Sequence, residues 1–291
     1  MDVFLQAIVD AVLLGGIYTL MVIGLSMSLG ITRVINFTHG EAIMLGAYAA
    51  YWGLIKLNVD PLIALPIVTL LGGLAGFLLF KAVIAPVLDA PQENQILLTF
   101  GLGLVFQNIA VILWTGNERS ANPSYALSSF DIGEISISGG RLIGFGAAVV
   151  VVVGLFLWLK FGEWGRASRA LAENRDAAVL MGINVPFLYA FSFGVASALA
   201  ALTGVICSFI FAITPFMGFD MLVKSFAIII LGGLGSILGS VAGAFLLAFA
   251  ETMVAYYVPS GNGWAEAIAF GVMFVTLVLR PRGILGHVTG H

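Results

Sequence analysis

Charge is the scarcest property of this chain. Only 9% of its 291 residues are Asp, Glu, Lys or Arg, and the net charge is -3. So few charges cannot clothe a water-soluble domain of this length, and there is no basic excess with which to hold a nucleic acid. Cysteine is almost missing too: Cys207 stands alone, which excludes an internal disulfide and a thiolate zinc cluster and leaves the redox compartment unread. No Gly-x4-Gly-Lys-Ser/Thr run occurs, so the chain has no P-loop in which to cradle nucleotide phosphates. Gly233, Gly235 and Gly239 miss the spacing of a dinucleotide fingerprint. His39-Gly40-Glu41 lacks the paired histidines of a zincin. No catalytic residue, metal site or bound cofactor is expected in this chain.

What is abundant is apolar surface: 60% of residues are hydrophobic and the mean hydropathy is +1.10. Crossing the hydrocarbon core as helix takes about 20 apolar residues. Phe4–Leu29, Pro61–Ala85, Ile96–Trp114, Leu142–Leu159 and Phe187–Ile213 qualify, each with at most one charged residue. Leu222–Ala250, charged only at Lys224, is long enough for a span or a re-entrant pair; Gly261–Leu279 makes a weaker last span, and Ala42–Ile55 is short for a straight crossing. Continuous runs of this kind exclude a barrel of alternating strands. The expected fold is all-α: a polytopic membrane helix bundle of about eight membrane segments, with broken or re-entrant helices, forming one transmembrane domain over residues 1–291. The first segment lacks the basic n-region of a cleaved signal, so it is expected to stay as a membrane helix.

Basic residues favour cytoplasmic loops. Lys160, Arg166, Arg169 and Arg175 therefore put the loop at 162–186 inside, and Arg280 and Arg282 put the C-terminus inside. That parity is met if Leu222–Val258 enters and leaves by one face, bending at "LGGLGS", Leu231–Ser236. The N-terminus then lies outside, in keeping with Asp2 and Asp10, or inside if the short Ala42 segment is re-entrant instead. Of the outward loops, Thr115–Arg141 carries a hydrophobic alternation at "FDIGEISIS" that suits a short hairpin.

The scarce charge is also unevenly spent. Glu163, Arg166, Arg169, Glu173, Arg175 and Asp176 crowd into one short loop. As a helix, Arg166, Arg169, Glu173 and Asp176 share a face, with Ala167, Ala170, Leu171, Ala177, Ala178 and Met181 on the adjoining one and Gly182 as the C-cap. Such a helix is either a solvated loop that only orients the protein or a docking surface for a soluble partner.

Polar groups inside the apolar segments are few. Asn36, Thr38, His39 and Glu41 cluster where the first long helix gives way to a short one; Thr38 as N-cap with Glu41 three residues on fits a capping box, and a gate or pathway role is the alternative, since ionisable groups at membrane depth are costly. Gly235, Gly239 and Gly243 form a stripe suited to close helix packing, and the break at Gly232-Gly233 lets Ser236 cap a half-helix whose amide end faces a central cavity. These two breaks suggest an inverted internal repeat. Gln107 and Asn108 are expected to bond between helices, Glu251 to lie near the outer end of its helix within reach of water, and Trp52, Trp114, Trp158 and Trp264 to anchor span ends.

Four stretches in order, "RVINFTHGEAIMLGAY" (Arg33–Tyr48), "ALAENRDAAVLMGIN" (Ala170–Asn184), "LGGLGSILGSVAGA" (Leu231–Ala244) and "LRPRGILG" (Leu279–Gly286), resemble the branched-chain amino-acid permeases of ABC importers, specifically the LivH-type subunit. The resemblance implies a transport subunit of the bacterial inner membrane, no enzyme itself, that works with a second, LivM-type permease, two ATPases carrying ATP and Mg, and an external solute-binding protein. It implies that Arg166, Arg169, Glu173, Ala177, Ala178, Met181 and Gly182 meet the ATPase. Asn36, His39, Glu41, Gly232, Gly233, Gly235 and Ser236 are the candidates for a translocation path or gate. Branched-chain amino acids are the expected cargo, with urea, short amides or aromatic acids as the alternative in permeases of similar appearance. An ion-coupled secondary transporter would need a paired intramembrane charge, and none stands out in the sequence; an intramembrane enzyme would have only His39 and Glu41 as its acid–base pair.

Overall fold

Apolar runs separated by turn residues fold here as twelve helices and one hairpin, in a computed structural model that describes residues 2–280 and 283–285. The helices are α1 (Asp2–Thr32), α2 (His39–Leu57), α3 (Pro61–Leu79), α4 (Gln92–Trp114), the short α5 (Ser124–Leu127), α6 (Gly139–Phe161), α7 (Glu163–Glu173), α8 (Arg175–Leu180), α9 (Val185–Cys207), α10 (Met217–Gly232), α11 (Ile237–Tyr257) and α12 (Gly261–Leu279). Six of them, α1, α3 with its continuation to Val87, α4, α6, α9 and α11, are long and apolar enough to cross a membrane. The protein is a polytopic helical bundle; of the about eight membrane segments expected, some of them broken or re-entrant, six are helices of this length and apolarity among the described residues.

Local chemistry sets the helix boundaries. Asp60 caps α3, accepting from the Leu62 N–H at 2.8 Å, with Pro61 in the first turn, where a missing N–H costs nothing. Asn184 caps α9 through the Phe187 N–H at 3.1 Å, with Pro186 next to it. Beyond Leu79 the helix widens into a π turn over Phe80–Ile84 and tightens over Ala85–Val87, where Pro86 cannot donate to the helical ladder. The hairpin expected in the 115–141 loop is present: β1 (Ser129–Ile132) pairs antiparallel with β2 (Ile135–Ser138) in the register Ser129↔Ser138 to Ile132↔Ile135. Gly133, at φ +66, opens its two-residue turn.

α1 and α9 form the buried centre, with α3 packed along α9 and α11 along α1. Glycines allow the backbones to close up: a side chain at Gly204 of α9 would overlap the Ile43 carbonyl of α2, and one at Gly46 of α2 the Ala201 carbonyl of α9. α3, α4 and α6 instead turn bare apolar faces outward, with Leu70, Ile112 and Val150 all more than 70% exposed, as a lipid-facing surface requires.

α10 and α11 run antiparallel. The bend between them, Gly233–Ser236, falls in the "LGGLGS" stretch where a bend is expected, and its positive-φ positions fall on Gly233 (+109) and Gly235 (+76). Gly239 packs on Gly232 and Gly243 on the Ile228 carbonyl, so the small-residue stripe does serve close packing. The C-terminal tail caps this bend: Ile284 and Leu285 donate to the last carbonyls of α10, Leu231 and Gly232, at 2.9 and 3.0 Å. Pro281, Arg282 and Gly286 of the fourth matched stretch lie outside the described residues.

Two ends of the bundle follow. At one end the hairpin binds the start of α1, where Gln6 donates to the Ser136 carbonyl and accepts from its N–H at 2.9 and 2.8 Å, and Arg141 pairs with Asp10 at 2.9 Å. At the other, the end of α1 meets α7 through Arg33, which donates to the Ala172 carbonyl at 3.4 Å.

Candidate functional site

The site grows from the short segment between α1 and α2. Arg33, in the left-handed region at φ +56, reverses the chain, and residues 34–36 return toward the bundle interior without helical hydrogen bonds. His39 then lies beside the middle of α1, its Nε2 donating to the Met21 carbonyl at 3.1 Å. Met21 is eleven residues, about 16 Å of helix, above the end of α1. α2 therefore starts inside the protein. Thr38 is not its capping side chain, contrary to the expected capping box: its hydroxyl donates to Asn36 Oδ1 at 2.6 Å and its N–H to the same oxygen at 2.9 Å. The Asx-type turn at Asn36 competes for the hydroxyl and wins because both bonds close locally.

The first turn of α2 abuts the first turn of α10. Side chains at Gly40 would overlap the Gly218 carbonyl, and one at Gly218 would sit 2.8 Å from the Gly40 carbonyl. Two helix N-termini with like partial charge thus face each other, and the buried Glu41 carboxyl group lies between them, its Oε2 without a hydrogen-bond partner and within 3.0 Å of where a Gly218 side chain would be. Its oxygens offset the partial positive charge of both helix ends.

The candidate path residues are not gathered into one place. Asn36, His39 and Glu41 cluster at this junction, whereas Gly232, Gly233, Gly235 and Ser236 form the α10–α11 bend, where Gly235 meets Gly30 near the end of α1. Ser236 does cap α11, accepting from the Gly239 N–H at 3.1 Å, but α11 is a 21-residue helix and not a half-helix. The partner of the His39 break is Gly218 instead. Nothing in the composition around Gly218 marked it, because α10 reads as part of a longer apolar run.

A second feature went unseen in the sequence. Tyr18 of α1 donates to Glu251 of α11, and Lys224 of α10 lies 3.0 Å from the Tyr18 oxygen and 3.3 Å from Glu251 Oε1. Glu251 is buried, not within reach of water as expected, and it forms an ion pair of low exposure with Lys224 between two apolar helices. The three residues are distant in sequence; the available signal was one lone cation and one lone anion in adjacent apolar helices. Asn108 also differs from expectation, donating to Leu104 in its own helix at 2.7 Å.

Around the hairpin end, the segment leading into α10 is pinned by backbone exchange between Arg119 and Ile213, at 3.0 and 2.7 Å. The Arg119 guanidinium also donates to the Trp114 carbonyl and lies over Trp52 at 5.0 Å. Trp114 is stacked on Tyr48, so it packs as well as anchors. Nearby, Tyr125 donates to Asp60 at 2.9 Å, and burial with that carboxylate raises its phenol well above the ordinary range.

At the opposite end the charged loop is not one helix. Asn174, extended at φ −151, separates α7 from α8 and caps α8 through the Ala177 N–H at 3.0 Å. Gly182, at φ +79, ends α8, with Ile183 donating to Ala178 at 3.1 Å, as the expected C-cap requires. Arg166, Arg169, Glu173, Ala177, Met181 and Gly182 are exposed. Ala178 is buried among Leu171, Val185 and Leu188 of this chain, so it faces inward, while Leu180 and Met181 are 87% and 82% exposed.

α2 and α10 thus begin against each other inside the helical bundle. The family model described as "Branched-chain amino acid transport system / permease component" matches residues 7–277. The chain belongs to this permease family. It is 32% identical to the high-affinity branched-chain amino acid transport system permease protein BraD of Pseudomonas aeruginosa, over 97% of this chain and 96% of that protein. It is 29% identical to LivH of Escherichia coli K12, again over 97% and 96%. Similarity to LivM of the same organism is weaker, 25% over 95% of this chain and 69% of LivM. No solved structure shows significant similarity. This permease is a multi-pass membrane transport subunit, not an enzyme.

Proposed function

We propose that this permease is one transmembrane subunit of an ATP-binding-cassette importer for branched-chain amino acids or similar small polar solutes. The observation that carries the reading is the collinear similarity to BraD and LivH over nearly the full length of both chains. Cargo arrives from an external binding protein, a distinct LivM-type chain forms the other half of the pathway, and two ATPases supply ATP and Mg. The membrane is the bacterial inner membrane, with α7 and α8 in the cytoplasm and the hairpin outside. Exposed Arg166, Arg169, Glu173, Ala177, Met181 and Gly182, together with Leu180, form the ATPase contact, while Ala178 holds α8 on the bundle.

On this reading six long helices and the shorter α2, α10 and α12 make nine crossings, from an outer N-terminus to an inner C-terminus. Residues 33–57 and 208–232 are crossings whose first part is unwound. α1–α4 and α9–α12 are then inverted repeats, supported by α3 lying on α9 as α11 lies on α1, and by the meeting of Gly40 and Gly218. That junction, with His39 and Glu41, is the gate.

The Lys224–Glu251 pair favours a second reading, ion-coupled secondary transport. A tagged chain expressed with its neighbouring transport proteins separates the two. Recovery of two P-loop ATPases and a second permease, with a cognate binding protein that takes up leucine, isoleucine or valine in a ligand screen, is expected. Recovery of the chain alone, active in uptake, would overturn the importer reading.

A further inference from the structure

At the end of the bundle that carries α7 and α8, a cavity of about 350 Å³ lies between the end of α1, the turn into α4, the α7–α8 pair and the start of α9. That is the liquid volume of about twelve waters at ~30 Å³ each. Two cations, Arg33 and Arg175, line it, and no acidic residue does. Arg33 donates to the Ala172 carbonyl at 3.4 Å and pairs with no carboxylate among the described residues. It stands in a left-handed turn, at φ +56, that glycine or asparagine makes more readily, so the turn does not account for an arginine there. Arg175 reaches Asp89 at 3.9 Å, but the two side chains are 59% and 90% exposed, so the pair holds Arg175 weakly. Tyr189, nine-tenths buried at 9% exposure, presents to the cavity a hydroxyl that bonds to no other described residue. α4 opens on Pro91, which has no side chain to cap it, and the first-turn amides at Gln92 are left for another acceptor. Gln95 engages the Leu88 and Ala90 carbonyls, both at 3.0 Å, so the acceptors of the turn are occupied.

We infer that this cavity binds the phosphate of an organic phosphate ester, an inference independent of the cargo proposed above. The phosphate lies between the guanidinium groups of Arg33 and Arg175 and accepts from the Tyr189 hydroxyl and the first-turn amides of α4. Donors on four separate segments approach from different directions, which suits a tetrahedral anion with several oxygens better than a planar carboxylate. Inorganic phosphate alone leaves much of the volume empty, whereas Ile31, Val34, Leu88 and Leu171 give an organic group an apolar wall. A lipid headgroup and a soluble ester offer the same phosphate to these residues. Once bound, it ties the start of α4 to α8, which Arg175 and Asp89 join only loosely.

The test uses the full chain in micelles of a neutral detergent, carrying Gln92→Cys in a Cys207→Ser background, and measures the rate of modification by a small uncharged thiol reagent. For a site with Kd of ~1 mM, glycerol 3-phosphate or dihexanoyl phosphatidylglycerol at about 10 mM slows modification about eleven-fold. Protection by the lipid alone assigns the site to the bilayer, and protection by glycerol 3-phosphate alone assigns it to a soluble ester; either supports the phosphate site. Arg33→Gln and Tyr189→Phe each weaken binding about tenfold, so protection falls to about two-fold, while the rate without ligand stays unchanged and shows that the fold is kept. Arg33→Lys retains part of the protection. Equal rates with and without both esters would overturn the site, as would full protection in Arg33→Gln and Tyr189→Phe. Protection by butyrate equal to that by the esters would overturn the phosphate and give the cavity to a carboxylate, such as an acidic side chain of a partner protein.

Discussion

Glu251→Gln removes the anion from a pair whose cation stays where it was, with Lys224 and Glu251 side chains only 21% and 7% exposed. At 3.3 Å and an effective dielectric constant of about 20, the Coulomb energy is about 5 kcal/mol. Removing one partner of a buried pair commonly costs about 3–5 kcal/mol; Lys224 is 21% exposed and keeps Asp220 one helical turn away on α10, so the single variant is expected to lose about 2–3 kcal/mol of stability. Lys224→Met with Glu251→Leu, which removes both charges, should recover most of that loss. Tyr18→Phe removes one hydrogen bond to the carboxylate and should cost about 1.5–3 kcal/mol. Reversible denaturant unfolding of the purified permease in mixed micelles, followed by tryptophan fluorescence, gives the three values. Glu251→Gln within about 1 kcal/mol of wild type, or a double variant worse than the single, would refute the claim that the three helices are tied by a desolvated charge pair.

Gly40→Val should abolish uptake and lower the yield of folded protein, because a side chain there overlaps the Gly218 carbonyl; normal uptake at normal yield would remove the α2–α10 contact from the account. Leu180→Ser with Met181→Ser, at side chains 87% and 82% exposed, should leave the permease as stable as wild type yet reduce co-purification of the ATPases, and full recovery of ATPases would contradict the docking surface. Asn174→Ala, which deletes the α8 cap, should cost about 1 kcal/mol and weaken coupling of ATP hydrolysis to uptake; unchanged coupling would mean α8 need not be held. In a Cys207→Ser background, Asp176→Cys should react with an impermeant reagent only in inside-out vesicles, and labelling of intact cells would reverse the proposed orientation.

Much of this architecture can be read in the chain because hydrocarbon imposes a single demand on long segments. Runs such as Leu142–Leu159 admit no reading but a helix, and "LGGLGS" announces its own bend through glycines that tolerate positive φ, as Gly233 and Gly235 do. Caps built from neighbours, Ser236 on α11 and Gly182 after α8, were equally legible. What failed depended on distant partners or on competition between nearby ones. Thr38 looked like an N-cap, but Asn36, two residues away, takes its hydroxyl. The charged stretch reads as one helix, but Asn174 within it is a cap that splits it in two, and Ala178 is turned inward. Lys224, Tyr18 and Glu251 lie on three helices, and no local pattern couples them. Similarly, the junction of Gly40 with Gly218 needs the whole bundle to bring it about.

The most direct test of the importer reading is uptake of radiolabelled leucine into proteoliposomes that hold this chain, its partner permease and both ATPases, with binding protein added outside the compartment that corresponds to the cytoplasm and ATP enclosed within it. Uptake should require ATP and the binding protein together, and should persist when ionophores collapse every ion gradient. Uptake that proceeds without ATP and stops when the gradients are collapsed would contradict the account and make the Lys224–Glu251 pair the coupling site of a secondary transporter.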